Sequence, residues 1–394
     1  MKEGPDVRGL PEPTAEALAH SRRLQALIRD AIDGSGGAIR FAEYMHLALY
    51  APGLGYYSAG SHKFGSGGDY VTAPERSPLF AACIARSCAR VLESMGGGDI
   101  LEIGAGSGRL ALDLLQSLES IGCLPDRYRI LEVSADLRDR QHRLLCGDSR
   151  SFTDRIEWID HLPEAVNGVI FGNEVLDALP FERFRIGPVG PEYLGVATSD
   201  GGFRSVAMPA DGSLRDHVEL ISGSLGAPLA TGYTSEWCPA LKPFVGDMGQ
   251  VLRRGVLLLI DYGLPRRELY QAERADGTLM CHYRHRAHGD PFFLPGLQDI
   301  TAWVDFTSVA EAGSASGLTL DGFTTQAHYL LACGIAELAG ALQPDTREGL
   351  QGLAGVRALT LPGQMGERFK VVGFSRGWPD TLPGLTGRDL SGSL

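Results

Sequence analysis

One short stretch constrains this chain more than any other: Asp99-Ile100-Leu101-Glu102-Ile103-Gly104-Ala105-Gly106-Ser107-Gly108. It reads as a buried strand, three alternating glycines and then a helix to about Glu119. Glycines let the backbone turn tightly after a strand and let a ligand come close. A dinucleotide-binding fingerprint is spaced GxGxxG. Here the spacing is GxGxG, and Arg109 stands where that fingerprint has its third glycine. Glu102, two residues before the first glycine, would add negative charge beside a pyrophosphate. It suits a ligand that carries positive charge, such as the ammonium and sulfonium of S-adenosylmethionine (SAM). A dinucleotide, or a plain strand–turn–helix without ligand, are the competing readings.

The surrounding pattern extends this unit into a sheet. Tyr128 to Val133 reads as a strand, Ser134 to about Leu145 as a helix, and Val169 to Gly172 as a further strand. Val256 to Ile260 is continuously aliphatic, as a strand buried on both faces should be. Strand alternating with helix predicts an α/β fold: a mostly parallel, Rossmann-like sheet with right-handed crossovers. Arg368 to Ser375 reads as a late strand closing that sheet. Before it, Thr14 to Ile32 reads as a helix with Thr14 as N-cap, and Ser77-Pro78 as the start of another helix reaching about Met95. The expected organisation is a flexible leader over 1–13, a helical segment with a glycine-rich lid loop over 14–96, a core over 97–380, and a flexible tail over 381–394. The core carries inserted α+β regions at about 181–250 and 262–320.

Several polar groups fall at the carboxyl ends of these strands, the edge where open α/β sheets bind ligands. Glu132, 24 residues after Gly108, is placed to accept hydrogen bonds from both ribose hydroxyls of a nucleoside. Phe171-Gly172-Asn173-Glu174-Val175-Leu176-Asp177 follows a strand directly. Asn173, Glu174 and Asp177 are therefore candidates to line a site, Glu174 to grip a cationic substrate; the alternative is a helix N-cap by Asn173. Asp261, after Val256–Ile260, is a second strand-end acid. The polar loop Gly67 to Glu75 reads either as a lid over a cofactor or as plain surface. His282, His285 and His288 share a loop with Arg284 and Arg286, whose charges oppose a cation, so no metal site is expected.

Composition removes several classes. Thirty-six Lys and Arg against 48 Asp and Glu leave a net charge of −12. That gives no electrostatic footprint for a phosphate backbone, so a nucleic-acid partner is not expected and a basic protein segment matches better. Seven cysteines without a CxxC pair suggest free thiols in a reducing, cytoplasmic setting. Val256-Leu257-Leu258-Leu259-Ile260 is the longest aliphatic run, far short of the ~20 apolar residues a bilayer span needs.

With these motifs assembled, the chain resembles the MidA-type SAM-dependent methyltransferases, whose mitochondrial relatives assist assembly of respiratory complex I. The matching stretches are GDYVTAPERSPLF (68–80), ILEIGAGSGRLA (100–111), ILEVSADLRDRQ (130–141), GNEVLDALPFERF (172–184), LLLIDYG (257–263), HRAHGDPFFLPGLQDITAWVDFT (285–307) and MGERFKVVGF (365–374). The resemblance implies a class I methyltransferase fold and, for those relatives, symmetric dimethylation of an arginine in a complex I subunit. Carried onto this chain, it sets Gly104, Ala105, Gly106 and Gly108 against SAM, Glu102 near its methionine end, and Glu132 and Val133 at its nucleoside. Asn173 and Glu174 would stand beside the transferring methyl group, and Thr72, Pro74 and Glu75 over the cofactor. Arg76 departs from the family, where an apolar residue is common, and is expected to point outward. The expected activity is methyl transfer to an exposed protein arginine, with Glu174 as the catalytic clamp and Asp177 or Asp261 as second choices. Other readings are a small-molecule methyltransferase, an assembly chaperone on the same fold and, disfavoured by GxGxG, an NAD-dependent oxidoreductase. The chain is expected to act as a monomer or homodimer.

Overall fold

The computed structural model describes residues 9–59, 72–147 and 150–394. They divide into two compact units that interleave along the chain. One takes residues 9–59, 177–241 and 264–305; the other takes 72–147, 150–176, 242–263 and 306–394. The first unit joins residues 9–59 to the stretches 177–241 and 264–305, near the insertions expected at about 181–250 and 262–320. Of the expected helical segment, α1 (Ala15–Gly34) and α2 (Phe41–Tyr50) belong to the first unit, whereas α3 (Ala73–Arg76) and α4 (Pro78–Met95) belong to the second. The two insertions return to the second unit at Lys242 and at Phe306, earlier than expected in both cases.

The first unit is built on antiparallel pairing. Strands Glu182–Gly187, Gly190–Ser199, Gly202–Pro209 and Thr234–Trp237 form one sheet, and Met280–Tyr283, Arg286–His288 and Asp299–Thr301 form another. Its core packs Leu24, Ile28, Phe41, Tyr44, Val196 and Phe203. Within this unit Arg40 bonds Glu182 at 3.1 Å, which satisfies a buried carboxylate.

The second unit carries the parallel sheet. β1 (Asp99–Ile103) lies between β2 (Tyr128–Leu131) and β4 (Val166–Asn173); β3 (Ile156–Ile159) flanks β2 and Leu252–Leu264 flanks β4, all parallel. Phe369–Arg376 then pairs antiparallel with Leu252–Leu264, and Thr319–Thr325 antiparallel with Phe369–Arg376. This is the strand order and the antiparallel edge pair of a class I methyltransferase, so the expected Rossmann-like fold is present.

Helices α4, α5 (Arg109–Ser120) and α6 (Ala135–Cys146) connect or cover these strands. α4 begins as the sequence predicts: Ser77 Oγ accepts the Leu79 N–H at 3.3 Å, Pro78 opens the first turn, and Gly96 closes the helix at φ 76°. The tail expected to be flexible instead forms short turns, with Leu382 and Leu385 buried in the core of this unit.

Candidate functional site

Four strand-end turns of the second unit hold most of the candidate residues. The first is the glycine loop. Gly104, Gly106 and Gly108 sit at φ 65°, 55° and 81°, a region that costs an L-residue with a Cβ about 1–2 kcal/mol. The alternating glycines are thus what the path of this loop demands. The Gly104 N–H donates to Leu131 O at 3.0 Å and the Gly108 N–H to Ala105 O at 2.8 Å, which ties the loop back onto β2 and onto itself. Gly104 is exposed and Ala105 buried.

Below the loop, Glu102 is buried and accepts the Tyr128 hydroxyl at 2.6 Å. Burial pushes its carboxyl up to about 8, the Tyr128 hydroxyl pulls it back, and the charge of Glu132 adds to the rise. The side chain therefore packs inside the sheet instead of standing open at the loop.

The second turn follows β2. Glu132 is 5% exposed, yet Oε1 accepts the Ser134 N–H at 2.9 Å and Oε2 accepts Gln141 Nε2 at 2.9 Å. Beside it, Val133 is 74% exposed. An apolar side chain held in the open next to a fixed carboxylate suits a ligand with an aromatic face and a diol.

The third turn follows β4. Glu174 sits at φ 54°, a left-handed conformation uncommon outside glycine. Its N–H donates to Ile260 O at 2.9 Å, and its Oε1 accepts the Ala73 N–H at 3.2 Å and Asn173 Nδ2 at 3.3 Å. Asn173 Oδ1 is buried with no hydrogen-bond partner among the described residues. A buried acceptor without a donor is costly and calls for a ligand or water to complete it.

The fourth turn revises one expectation. Asp261 is fully buried; its Oδ2 accepts the Val175 N–H at 3.1 Å and the Leu176 N–H at 2.8 Å, and its Oδ1 the Tyr262 N–H at 2.9 Å. These bonds commit the carboxylate to the turn after β4, so Asp261 positions Glu174 and does not stand ready to grip a substrate. Asp177 is also buried, and it belongs to the other unit.

The segment Thr72 to Ser77 is stitched to two of these turns. Ala73 bonds Glu174 as above, and the Ser107 hydroxyl donates to Glu75 Oε1 at 2.7 Å. Thr72 precedes α3 without a side-chain capping bond and is half-buried, Pro74 is buried, and Arg76 is exposed, as expected. The glycine-rich stretch before it, Gly60 to Val71, lies outside the described residues. Sequence reasoning missed Gln141, which is fully buried and bonds Gly106 O at 3.0 Å as well as Glu132. Its signal was faint: a polar residue seven positions after the Ser134 cap, on a helix facing the loop.

The His282–His288 stretch folds in the other unit as a two-strand hairpin, with Arg284 and His285 at positive φ in its turn. No trio of His, Cys, Asp or Glu among the described residues could hold a metal ion. No helix among them is long and apolar enough to cross a membrane.

Residues 83–324 match the model of a family described as "Putative S-adenosyl-L-methionine-dependent methyltransferase". A Xenopus laevis protein named protein arginine methyltransferase NDUFAF7, mitochondrial, is 29% identical over 378 residues, spanning 85% of this chain and 80% of its own. Its Drosophila melanogaster homologue is 26% identical over 406 residues, spanning 94% and 87%. A crystal structure of a Burkholderia thailandensis protein bound to S-adenosyl-homocysteine is 42% identical, with a TM-score of 0.93 over 98% of this chain and 100% of that one. The glycine loop and the fixed Glu132 with exposed Val133 fit the same cofactor. The chain is a SAM-dependent methyltransferase and belongs to that family.

Proposed function

We propose that this methyltransferase acts on the guanidinium of an arginine in a protein and forms symmetric dimethylarginine. The observation that carries the reading is Glu174: a carboxylate held at φ 54° at the end of a central strand, beside an Asn173 whose buried Oδ1 lacks a donor. A guanidinium supplies planar, paired N–H groups for such acceptors. Two relatives carry the name protein arginine methyltransferase, which supports the same substrate class. The net charge of −12 favours encounter with a basic target segment.

The cofactor supplies an electrophilic methyl group on sulfur, so the protein's share is alignment and charge. Gly104, Ala105, Gly106 and Gly108 allow close approach of backbone to cofactor. Glu132 takes the ribose hydroxyls and Val133 the face of the base. Thr72, Pro74 and Glu75 border the loop through the Ser107–Glu75 bond. Glu102 shapes this floor from within, through Tyr128.

An arginine side chain has a pKa above ~12 and its lone pairs are delocalised. A carboxylate that bonds two of its N–H groups draws the positive charge toward itself and leaves the third nitrogen more nucleophilic. Glu174 performs that step, Asn173 orients the same plane, and Asp261 fixes the turn from which both project. As the N–C bond forms, the methyl–sulfur bond breaks, S-adenosyl-homocysteine leaves, and the proton displaced from the attacking nitrogen passes to solvent. Symmetric products require the second methyl to go to the other terminal nitrogen.

The resemblance makes a respiratory-complex subunit the first target to try. The test incubates the purified protein with methyl-labelled SAM and extract from cells lacking it, followed by acid hydrolysis of the labelled protein. Label co-migrating with symmetric dimethylarginine is expected. Label confined to small molecules, or to another amino acid, overturns the reading.

A further inference from the structure

We propose that Gln141 and Trp158 are positioning residues that orient Glu132 for a ribose diol, and so set how strongly this site prefers a ribonucleoside ligand to its deoxy counterpart. The proposal rests on Glu132 being the ribose acceptor.

The geometry is a relay across three elements. Trp158 lies on β3, and its Nε1–H donates to Gln141 Oε1 at 3.0 Å. An indole N–H can only donate. It therefore fixes which end of the Gln141 amide faces it, and the Nε2 end must face the other way. There Nε2 donates to Glu132 Oε2 at 2.9 Å and to Gly106 O at 3.0 Å. A flipped amide would turn its oxygen onto two acceptors and its N–H onto a donor, losing all three bonds.

Gln141 has no exposed surface, so none of these bonds is exchanged with bulk water. α6 also presses on the loop: a Cβ placed on Gly108 would meet Gln141 Cγ at 3.2 Å. The Ser134 N–H takes Glu132 Oε1 from the other side at 2.9 Å. Both carboxylate oxygens are thus oriented before any ligand arrives. One side chain couples the orientation of that carboxylate to the path of the glycine loop.

Preorganised acceptors discriminate sharply against an analogue that lacks the hydroxyl, because the buried group is then left unpaired. Binding of S-adenosyl-homocysteine and of its 2′-deoxy analogue, measured by calorimetry, reads this directly. The wild-type chain should prefer the ribo form by at least about tenfold. In Gln141→Met, which keeps the volume and removes the donor, affinity for the ribo form should fall about 10- to 100-fold and the preference should shrink toward one. Trp158→Phe keeps Gln141 but frees its amide to flip, and should lose part of the preference, about threefold.

An equal loss for both ligands in either variant would make the pair mere packing and overturn the proposal. So would a folded Gln141→Met chain that keeps the wild-type preference, with Glu132 still reading the ribose. No preference in the wild-type chain would remove the ribose reading of Glu132 and this inference with it. If Gln141→Met does not fold, the preference measured in Trp158→Phe decides.

Discussion

Two turns at the edge of the parallel sheet solve the same backbone problem with different residues. After β1 the chain turns through three positive-φ positions, and each is a glycine. After β4 it turns through one, and that residue is Glu174. The first turn relieves its strain by omitting side chains, which also clears space for a ligand. The second accepts the strain and keeps a carboxylate, holding it with Ile260 O, the Ala73 N–H and the neighbouring bonds of Asp261. Backbone strain retained at a non-glycine residue is a reason to look for function there. The contrast assigns cofactor approach to the glycine turn and substrate chemistry to the other.

If that division holds, substitutions in the two turns should fail differently. Glu174→Gln keeps the shape of the side chain and most of its bonding, but removes the charge that draws on a guanidinium. Turnover should fall about a thousandfold, near 4 kcal/mol, with SAM affinity within about twofold of wild type. Wild-type turnover in this variant would remove the clamp. Gly106→Val should do the reverse: a β-branched residue at φ 55° both strains the loop and fills the approach, so SAM affinity should drop at least about a hundredfold, roughly 2.8 kcal/mol. A folded Gly106→Val chain that binds SAM normally would show that the loop is not the cofactor's path.

Asp261 tests whether the second turn is held as described. Asp261→Asn exchanges an acceptor for a donor opposite backbone N–H groups. Stability should fall by about 2 kcal/mol in chemical denaturation, and kcat about tenfold through a misplaced Glu174, with KM for SAM little changed. A loss confined to substrate KM would instead return Asp261 to the direct role expected from sequence.

Glu102 separates the turns in another way, because the penultimate residue of the strand leading into the glycine turn is a carboxyl whose pKa burial raises. Burial pushes its pKa up to about 8, from an ordinary glutamate value of ~4.3. The fold is therefore most favoured below the lower value, loses stability as pH rises between the two, and levels off above the higher one. Asp321, pushed up to about 6, adds to the lower part of that slope. Glu102→Gln should flatten the decline of Tm between pH 5 and 8 and raise Tm by a few degrees at pH 8. An unchanged slope would mean that Glu102 is ionised in the fold.

Much of this was legible in sequence because it is local. The glycine loop, the Ser77-Pro78 cap and the aliphatic run Val256–Ile260 each announce themselves within a few residues. Acids at strand ends could be found the same way, but not their duties. Whether Asp261 faces a ligand or the Val175 and Leu176 N–H groups depends on a partner 85 residues away. Gln141 is legible only once Trp158 and Gly106 are brought against it. The interleaved units were hidden for a similar reason, since the strands at 182–209 and 280–301 complete a core that α1 and α2 begin. Sequence periodicity reports which face is buried, not which distant segment buries it.

The smallest expected effect is the cleanest measure of the contrast between the turns. Glu174→Ala and Glu174→Gly both delete the carboxylate and its bond to the Ala73 N–H, so they differ only in backbone. At an ordinary position the glycine variant would be less stable by about 0.5–1 kcal/mol, because its unfolded chain is freer. At φ 54° the alanine pays the left-handed penalty instead, about 1–2 kcal/mol. The glycine variant should therefore be the more stable of the two by up to about 1 kcal/mol, while both remain inactive. Gly106→Ala, measured beside them, should destabilise by a similar amount from the opposite direction. If Glu174→Ala proves the more stable variant, the turn after β4 relaxes when its carboxylate is gone. The strain would then originate in the bonds that hold Glu174 and not in the path of the chain, and the two turns would not be solutions to the same problem.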